Sequence, residues 1–361
     1  MNAKKWMICF FALLLAGALL VAGIIFYVDP AFHFHGPREN LYYHLSEQRF
    51  INDGITRHFS YDGLITGTSM TEKFKTSQAE SLFGGSFIKI PYAGGSYKEI
   101  NDAVEKALQR NPQVKTVIRG LDRLNFFNEK DLIRTDMGVR PTYLYDENPF
   151  NDVQYLLNKR FFLLSCKQVL LTAAKGPGID SFDEYSNIQE EKKGADEVLK
   201  WRKSFPEKTE TIHLTKEERQ IIEGNIRQNV LHAAIQNPQV DFYYFIPPYS
   251  AAWWGAINSK GGVERELEAE RLVLELLLDQ ENIHLYSYCD RLDISGDLSR
   301  YSDTLHYDQG IFDHILDSMK KGEGLLTKEN YEAYLKRMEA YLTYDYNGLF
   351  RQCTDGKAPK A

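Results

Sequence analysis

Ser69, Asp303 and His306 are of the residue types that together activate a nucleophile. Ser69 follows a glycine and a threonine after a short apolar run, and Asp303 precedes His306 by three residues. A serine hydroxyl alone is a weak nucleophile, and a histidine hydrogen-bonded to it takes its proton. A carboxylate holds that histidine in the required tautomer and stabilises the imidazolium. These residues therefore predict acyl transfer, with Ser69 as nucleophile, His306 as base and then acid, and Asp303 orienting His306.

An acyl-transfer site also needs hydrogen-bond donors for the oxyanion. Gly94 and Gly95 follow the second apolar run of the chain, and no side chain shields the backbone amides of glycines. We expect the amides of Ser69 and Gly95 to bind the oxyanion. Trp253 and Trp254 follow the fourth apolar run. Aromatic faces pack on sugar rings and acyl chains but equally in protein cores, so the sequence leaves both roles open for these two tryptophans.

Five short apolar runs alternate with helical patterns in the chain after residue 60. The runs lie at 62–67, 87–90, 114–118, 242–246 and 283–288. Between them, apolar residues recur at helical spacing, as at Ile100, Val104 and Leu108. Helices are also predicted from Met70 to Leu82 and from Tyr155 to Ala174, and Thr215 and Glu218 have the spacing of a capping box at the start of another. This alternation predicts an α/β fold in which a parallel sheet has helices on both faces. Sites in such sheets form beyond the carboxyl ends of the strands, which is where the candidate residues fall.

The N-terminal part contains an uncharged run, Trp6 to Val28, of 23 residues that is preceded by Lys4 and Lys5. At about 1.5 Å per residue, this run is long enough to cross the roughly 30 Å hydrocarbon layer of a membrane. It exceeds the apolar region of a secretory signal peptide, and no small-residue cleavage site follows it. We therefore favour an uncleaved signal anchor over a cleaved signal. The positive-inside rule places the N-terminus in the cytoplasm and the remainder outside the plasma membrane.

The predicted organisation has five segments. They are a cytoplasmic tail at 1–5, the anchor at 6–28, a juxtamembrane segment at 29–58, a catalytic domain at 59–325 with an insertion at about 126–210, and a C-terminal helix and tail at 326–361. The insertion is inferred because the strand–helix alternation stops there. In the juxtamembrane segment, His33 and His35 could lie on one side of a strand. No cysteine or carboxylate cluster accompanies them, so we favour a stalk over a metal site.

Composition excludes several other classes of protein. With 43% hydrophobic and 26% charged residues, the chain has a globular composition. A formal net charge of −7 argues against a nucleic-acid partner. Cys166, Cys289 and Cys353 are an odd number, so at most one internal disulfide can form among them, and unreactive thiols are favoured. The site residues imply neither a metal nor an organic cofactor.

The order of these blocks resembles that of the SGNH (GDSL-type) hydrolases. The signature of that family is Gly-Asp-Ser near the domain start, then a glycine, a Gly-x-Asn and a C-terminal Asp-x-x-His. Gly67-Thr68-Ser69 matches the first block with Thr in place of Asp, and Gly94 or Gly95 matches the second. Asp303-Thr304-Leu305-His306 matches the last block completely.

The third block departs from the pattern, because Gly120-Leu121-Asp122 has Asp where the family has Asn. An ionised carboxylate cannot donate a hydrogen bond. Asn125, or a protonated Asp122, would therefore have to act as the oxyanion donor.

The resemblance covers about residues 60–125 and 210–320. It implies a flavodoxin-like, three-layer α/β/α fold and a serine esterase or acyltransferase. The single anchor, Gly-Thr-Ser-Met at 67–70 and the long insertion are most similar to DltD-like and alginate-acetylation-type cell-envelope proteins. That likeness implies an acetyl or D-alanyl ester of an envelope polysaccharide or teichoic acid, a glycopolymer acceptor, and a polytopic membrane acyl-donor protein as partner. Two alternatives stay open: a noncatalytic SGNH-fold module that binds polymer or docks the donor protein, and an extracellular lipase.

Overall fold

The computed structural model of the protein describes residues 2–138, 140–187, 192–200, 204–205 and 209–354, with the backbone alone at 352–354. The chain divides into two compact units. The N-terminal unit comprises Met1–Ser60 and Gly138–Tyr185, and the sheet unit comprises Tyr61–Met137 and Ser186–Ala361. The stretch predicted as one insertion at about 126–210 thus contributes residues to both units.

Eight strands are present in the described residues. They are β1 Tyr42–Tyr43, β2 Gly63–Gly67, β3 Phe87–Pro91, β4 Thr116–Gly120, β5 Gly178–Ile179, β6 Asp241–Ile246, β7 Ile283–Ser287 and β8 Leu325–Leu326.

Fifteen α-helices are present in the same part of the chain. They are α1 Ala3–Val28, α2 Gln48–His58, α3 Thr76–Phe83, α4 Tyr97–Arg110, α5 Val153–Leu156, α6 Lys159–Lys175, α7 Ala195–Val198, α8 Lys216–Ile226, α9 His232–Gln236, α10 Ala251–Asn258, α11 Val263–Leu277, α12 Leu292–Ser295, α13 Gln309–Lys321, α14 Tyr331–Met338 and α15 Tyr346–Thr354. Short 3₁₀ turns lie at Ser69–Thr71, Arg123–Asn125, Thr142–Leu144, Leu298–Arg300 and Glu339–Leu342, and a π-helical turn lies at Arg227–Leu231.

The sheet unit is built on six strands in the order β3-β2-β4-β6-β7-β8. The first five strands are parallel, and β8 pairs antiparallel with β7. The connection from β2 to β3 runs toward one edge of the sheet. The following connections, from β3 to β4 and on to β6 and β7, run toward the opposite edge. Because such crossovers are right-handed, reversing their direction places helices on both faces of the sheet. The result is the doubly wound, flavodoxin-like order, whose ligand site lies where the direction reverses.

All five predicted strands are confirmed, with boundaries that shift by at most two residues. Every residue of β2 and β3 is buried, as expected of parallel strands that are covered on both faces. The strand β8 was not predicted. It is only two residues long, which is too short for an alternation of apolar and polar residues to be detected.

Two helix predictions need correction. The stretch from Met70 to Leu82 was predicted as one helix, but a 3₁₀ turn at Ser69–Thr71 precedes α3. The predicted helix from Tyr155 to Ala174 is divided into α5 and α6, because Asn158 caps the second helix by accepting a hydrogen bond from the Arg160 amide at 2.9 Å. The capping box predicted at Thr215 and Glu218 is present at the start of α8.

In the N-terminal unit, α1 is the one helix among the described residues that is long and apolar enough to cross a membrane, with a mean hydropathy of 2.8. The helix ends at Val28, and the next residue, Asp29, has a left-handed φ of 47°. The buried Asp29 carboxylate accepts hydrogen bonds from the amides of His33, Phe34 and His35 at 2.7 to 3.0 Å. It also accepts one from the Tyr155 hydroxyl at 2.7 Å. The segment after α1 is therefore a hydrogen-bonded turn.

Candidate active site

Ser69 lies in a tight turn directly after β2. The strand ends at Gly67, whose φ of +151° few side-chain-bearing residues adopt, and a Cβ atom there would lie 2.6 Å from Thr71 Cγ2. The buried Thr68 caps the 3₁₀ turn, because its hydroxyl oxygen accepts a hydrogen bond from the Met70 amide at 3.3 Å. The Thr68 backbone oxygen also accepts a hydrogen bond from the Thr71 hydroxyl at 2.8 Å. The glycine and the two threonines thus fix the backbone on which Ser69 is carried.

Asp303 and His306 lie on one loop of the same unit. A β-bridge between Tyr301 and Tyr307, both buried, closes this loop at its base. Asp303 Oδ1 accepts hydrogen bonds from the amides of Leu305 at 2.7 Å and His306 at 2.8 Å. Asp303 Oδ2 lies 2.7 Å from His306 Nδ1. The Asp-x-x-His spacing therefore lets one carboxylate hold both the backbone and the ring of His306.

Ser69 and His306 meet although 237 positions separate them in the sequence. The Ser69 Oγ atom lies 2.8 Å from His306 Nε2. Since His306 Nδ1 faces the Asp303 carboxylate, the three side chains form one chain of hydrogen bonds. This geometry allows His306 Nε2 to accept the proton of Ser69. The proton on Nδ1 stays on the ring and is hydrogen-bonded to the Asp303 carboxylate.

The Asp303 carboxylate is suited to remain ionised. Burial acts to raise its pKa, but the hydrogen bond and charge of His306, with the backbone amides of His306 and Leu305, outweigh burial and lower the pKa below its ordinary value of 3.8. About half of the Asp303 side chain is exposed, so solvent also stabilises the charge. An ionised Asp303 favours the tautomer of His306 that has its proton on Nδ1.

A small pocket of about 120 Å³ opens beside these groups. Ser69 and His306 lie in its wall, and Tyr307 and Phe312 contribute two aromatic rings. Burial raises the pKa of Tyr307 well above its usual value, so its ring stays neutral. Glu72, Lys73 and Asp303 complete the lining. Pockets that hold drug-sized ligands measure about 300–1,000 Å³, so this one is matched to a group of only a few atoms.

The two candidate glycines differ in the hydrogen bonding of their backbone amides. The Gly95 amide donates a hydrogen bond to the Tyr92 carbonyl at 2.7 Å and is therefore already engaged in the turn after β3. Within the described part of the chain, the amides of Ser69 and Gly94 make no hydrogen bond. Gly94 has a φ of +61° and is partly exposed, whereas Gly95 is buried. The Gly94 amide is therefore available to donate a hydrogen bond to a ligand, whereas the Gly95 amide is already engaged.

Asn125 and Asp122 support this edge of the sheet through hydrogen bonds within the protein. Asn125 is buried, and its side-chain amide donates to the Gly95 carbonyl at 2.9 Å. Asp122 is also buried and acts only as an acceptor. Its carboxylate accepts hydrogen bonds from the Thr68 hydroxyl at 2.8 Å, from the Leu124 amide at 3.1 Å and from the Tyr249 hydroxyl. Asp122 therefore positions the turn that carries Ser69.

Trp253 and Trp254 belong to the core of the sheet unit. Trp254 is fully buried, stacks on Tyr341 with ring centroids 4.5 Å apart, and lies 4.7 Å from the Arg123 guanidinium carbon. Trp253 is 9% exposed and packs edge-on against Tyr249 at 5.0 Å. Of the two roles that the sequence left open, the contacts favour packing for both tryptophans.

The sequence did not single out Lys89, which also supports the nucleophile turn. This lysine is fully buried in β3, and its ammonium donates hydrogen bonds to the backbone carbonyls of Glu72 and Phe74. A buried ammonium needs such partners to offset its loss of hydration. Its one sequence signal is a charged residue inside the apolar run at 87–90.

Comparisons with known proteins found one distantly similar solved structure. No family model matches the sequence, and no curated protein matches it at a significant level. The chain is similar to a solved structure from Streptococcus pneumonia whose description names a platelet activating factor. That match covers 80% of this chain and 91% of the other, at 12% identity and a TM-score of 0.36. At this identity and TM-score, the likeness assigns neither a family nor a function to the chain.

Proposed function

We propose that the protein is a serine esterase or acyltransferase that acts on short acyl esters through Ser69. The observation that carries this proposal is the hydrogen-bonded chain from Asp303 through His306 to Ser69. A nucleophile hydrogen-bonded to a base, which is in turn oriented by a third group, is the arrangement that covalent catalysis requires.

In the proposed reaction, Ser69 Oγ attacks the acyl carbonyl while His306 Nε2 takes the serine proton. The carbonyl oxygen becomes an oxyanion, to which the amides of Ser69 and Gly94 donate hydrogen bonds. His306 then returns the proton to the leaving alcohol as the ester bond breaks, and the acyl group stays on Ser69. An acceptor hydroxyl or water, deprotonated by His306, attacks the acyl-enzyme and restores Ser69. Each oxyanion donor contributes about 10²–10³-fold in rate.

The size of the pocket supports a small acyl group, such as acetyl or D-alanyl. A volume of about 120 Å³ beside Ser69 has room for a few heavy atoms, while a fatty acyl chain would extend beyond the pocket. This argues against the lipase alternative. Hydrolysis and transfer share the acyl-enzyme and differ only in which hydroxyl attacks it.

We further propose that α1 is an uncleaved anchor in the plasma membrane, with the N-terminus in the cytoplasm and the site outside. Support comes from the length and apolar composition of α1 and from Lys4 and Lys5 at its start. A protease added to intact cells should then degrade a C-terminal tag and spare an N-terminal one. Degradation of the N-terminal tag alone would contradict this topology.

The finer assignment is to an SGNH-type enzyme of the DltD-like or alginate-acetylation kind. Its support is the order of the sequence blocks, with Gly67-Thr68-Ser69 after the first strand of the sheet unit and the Asp-x-x-His block near its end. The acceptor would be a glycopolymer of the cell envelope, and the acyl donor a polytopic membrane protein. An extracytoplasmic site on a membrane anchor suits both partners.

The decisive experiment is labelling with a fluorophosphonate, which needs the same base and oxyanion donors as acyl transfer. We expect wild-type protein to form an adduct at Ser69, Ser69→Ala to form none, and His306→Ala to be almost unlabelled, because such a triad acts as a unit. Ser299→Ala, which alters an exposed serine of the same unit, is the matched control and should label normally. Folded wild-type protein without an adduct would favour the noncatalytic binding module instead.

A further inference from the structure

Helix α6 of the N-terminal unit has an inverted distribution of polar and apolar side chains. Its inward face includes Ser165 and Gln168, which are 0% and 3% exposed. The Gln168 side chain accepts a hydrogen bond from the His44 amide at 2.8 Å and donates one to the His44 carbonyl at 3.2 Å. Thr172 Oγ1 accepts the Tyr42 amide at 2.7 Å. Gln168 and Thr172 therefore bind the backbone of β1 and of the residue after it.

The outward face of α6 is correspondingly apolar. Leu163, Cys166, Leu170 and Ala173 recur at i, i+3, i+7 and i+10, which places them on one side of the helix. Leu163 is 55% exposed and Leu170 is 70% exposed, and the neighbouring Val169 is 47% exposed. A helix on a water-soluble surface normally has the opposite arrangement, with its apolar face toward the core.

The position of α6 relative to α1 indicates what covers this face. A buried cluster joins the end of α1 to the α5–α6 region, with Ile25, Tyr155 and Phe161 at its centre and Val21 packed against it. Val21 lies seven residues before the last residue of α1, which is about 10 Å along the helix axis. In a 26-residue helix, about 39 Å long, that position falls within a centred hydrocarbon layer of about 30 Å. The cluster against which Val21 packs therefore reaches the outer edge of the hydrocarbon layer.

The charges of α6 suit the same location. The helix contains Lys159, Arg160, Lys167 and Lys175 and no acidic residue. Arg160 pairs with Glu47 and lies over the Phe50 ring, and Lys175 lies over the Tyr42 ring. Long basic side chains beside an apolar face are characteristic of helices that lie in the interface of an anionic membrane.

We infer that α6 lies in the interfacial layer of the bilayer that α1 crosses, with Leu163, Cys166, Val169, Leu170 and Ala173 in contact with lipid. This inference rests on the proposed anchoring by α1 and adds a second, lateral contact with the membrane. Two contacts restrict rotation of the N-terminal unit about the α1 axis, which a single helix does not. The occupant of the apolar face is lipid, and no second protein is required to cover it.

Native cysteines allow the two contacts to be tested separately in the full-length chain. Cys289 is fully buried, so Cys9→Ser/Cys353→Ser leaves Cys166 on α6 as the accessible thiol, and Cys166→Ser/Cys353→Ser leaves Cys9 on α1. Each variant is labelled with a polarity-sensitive fluorophore. It is then reconstituted into vesicles of phosphatidylcholine and phosphatidylglycerol that contain lipids brominated at defined depths.

We expect the Cys166 label to emit at a blue-shifted wavelength, to be quenched by shallowly brominated lipid and to be protected from aqueous iodide. Adding Leu163→Gln and Leu170→Gln should reduce its lipid quenching at least twofold. Ile235→Gln, which changes an apolar residue of α9 that is 49% exposed, is the matched control and should have no effect.

The outcomes separate this inference from the anchor on which it rests. An aqueous signal from Cys166 with a lipid-quenched Cys9 would overturn the inference and leave the anchor intact. It would also be the result if a protein partner, absent from these vesicles, normally covered the face. An aqueous signal from Cys9 would overturn the anchor and this inference together.

Discussion

The Thr68 hydroxyl donates a hydrogen bond to Asp122 Oδ2 at 2.8 Å. These are the two positions at which the chain departs from the SGNH pattern that it resembles, with Thr for Asp and Asp for Asn. The two departures are therefore complementary, since the donor on one meets the acceptor on the other. Because Thr68 immediately precedes Ser69, the pair fixes the backbone that carries the proposed nucleophile.

Replacing Asp122 with Asn should consequently destabilise the protein. Three donors converge on this buried carboxylate, from Thr68, Leu124 and Tyr249, and an amide offers only one acceptor atom. We expect Asp122→Asn to lower the free energy of unfolding by about 1–3 kcal/mol, measured by urea denaturation. Asp279→Asn, at a largely exposed carboxylate, is the control and should change little. Unchanged stability of Asp122→Asn would mean that the carboxylate is not a structural partner.

Replacing Asp303 with Asn should reduce fluorophosphonate labelling and leave the fold intact. The side chain is half-exposed, so little packing is lost. The amide keeps a hydrogen bond to His306 but favours the tautomer in which Nε2, which faces Ser69, carries the proton and is unable to accept another. We expect the rate of labelling to fall by about 10²–10⁴-fold. A variant that unfolds, or one that labels at the wild-type rate, would contradict this assignment of Asp303.

The pocket beside Ser69 should restrict the length of the acyl group. With esters of one alcohol, such as p-nitrophenol, we expect kcat/KM for acetyl to exceed that for octanoyl by about 10-fold or more, because a chain longer than the pocket holds the carbonyl out of position for attack by Ser69. Phe312→Ala should enlarge the pocket and so reduce the ratio of kcat/KM for the acetyl ester to that for the octanoyl ester. Equal rates for both esters would show that the acyl group lies elsewhere.

Trp254 should contribute to stability and not to substrate binding. It is fully buried against Tyr341 and the Arg123 guanidinium. We expect Trp254→Ala to lower the free energy of unfolding by about 3–5 kcal/mol. The milder Trp253→Phe should keep KM for a soluble ester within about twofold of wild type, because Trp253 is only 9% exposed. A large rise in KM for Trp253→Phe would restore the substrate-binding role.

Cys289 should be inert toward thiol reagents while the protein is folded. Burial is the largest cause that raises the pKa of this thiol to about 12, with the Glu270 carboxylate adding to it. Because the thiolate is the reactive form, ionisation is negligible up to about pH 10. We expect an aromatic disulfide reagent to modify Cys289 only after denaturation, whereas in detergent solution, where no bilayer covers α6, the partly exposed Cys166 reacts without denaturant. Fast modification of Cys289 at pH 8, located by mass spectrometry, would contradict its burial.

Local patterns in the sequence are sufficient to predict much of the fold. Five strands were recognised because buried parallel strands form short apolar runs, and the capping box at Thr215 has a characteristic spacing. By contrast, the division between α5 and α6 depends on one capping residue, Asn158, within an otherwise continuous helical pattern. The pairing of β8 with β7 depends on contacts between distant residues, which no local pattern contains.

The candidate site likewise combines features that local sequence patterns contain with features that depend on long-range contacts. The residue types, their positions after strands and the Asp-x-x-His spacing are readable in the sequence, because strand ends and short-range spacing are local properties of a chain. The remaining features required the folded chain: Ser69 Oγ lies 2.8 Å from His306 Nε2, both tryptophans are buried, and among the described residues the Gly95 amide makes a hydrogen bond while the Gly94 amide makes none. Each of those outcomes depends on which groups converge from separate elements. A polar group pairs with whichever partner lies near it in space, and a side chain is buried by whichever elements pack over it. The strand order, which brings distant residues together, is established only when the sheet forms.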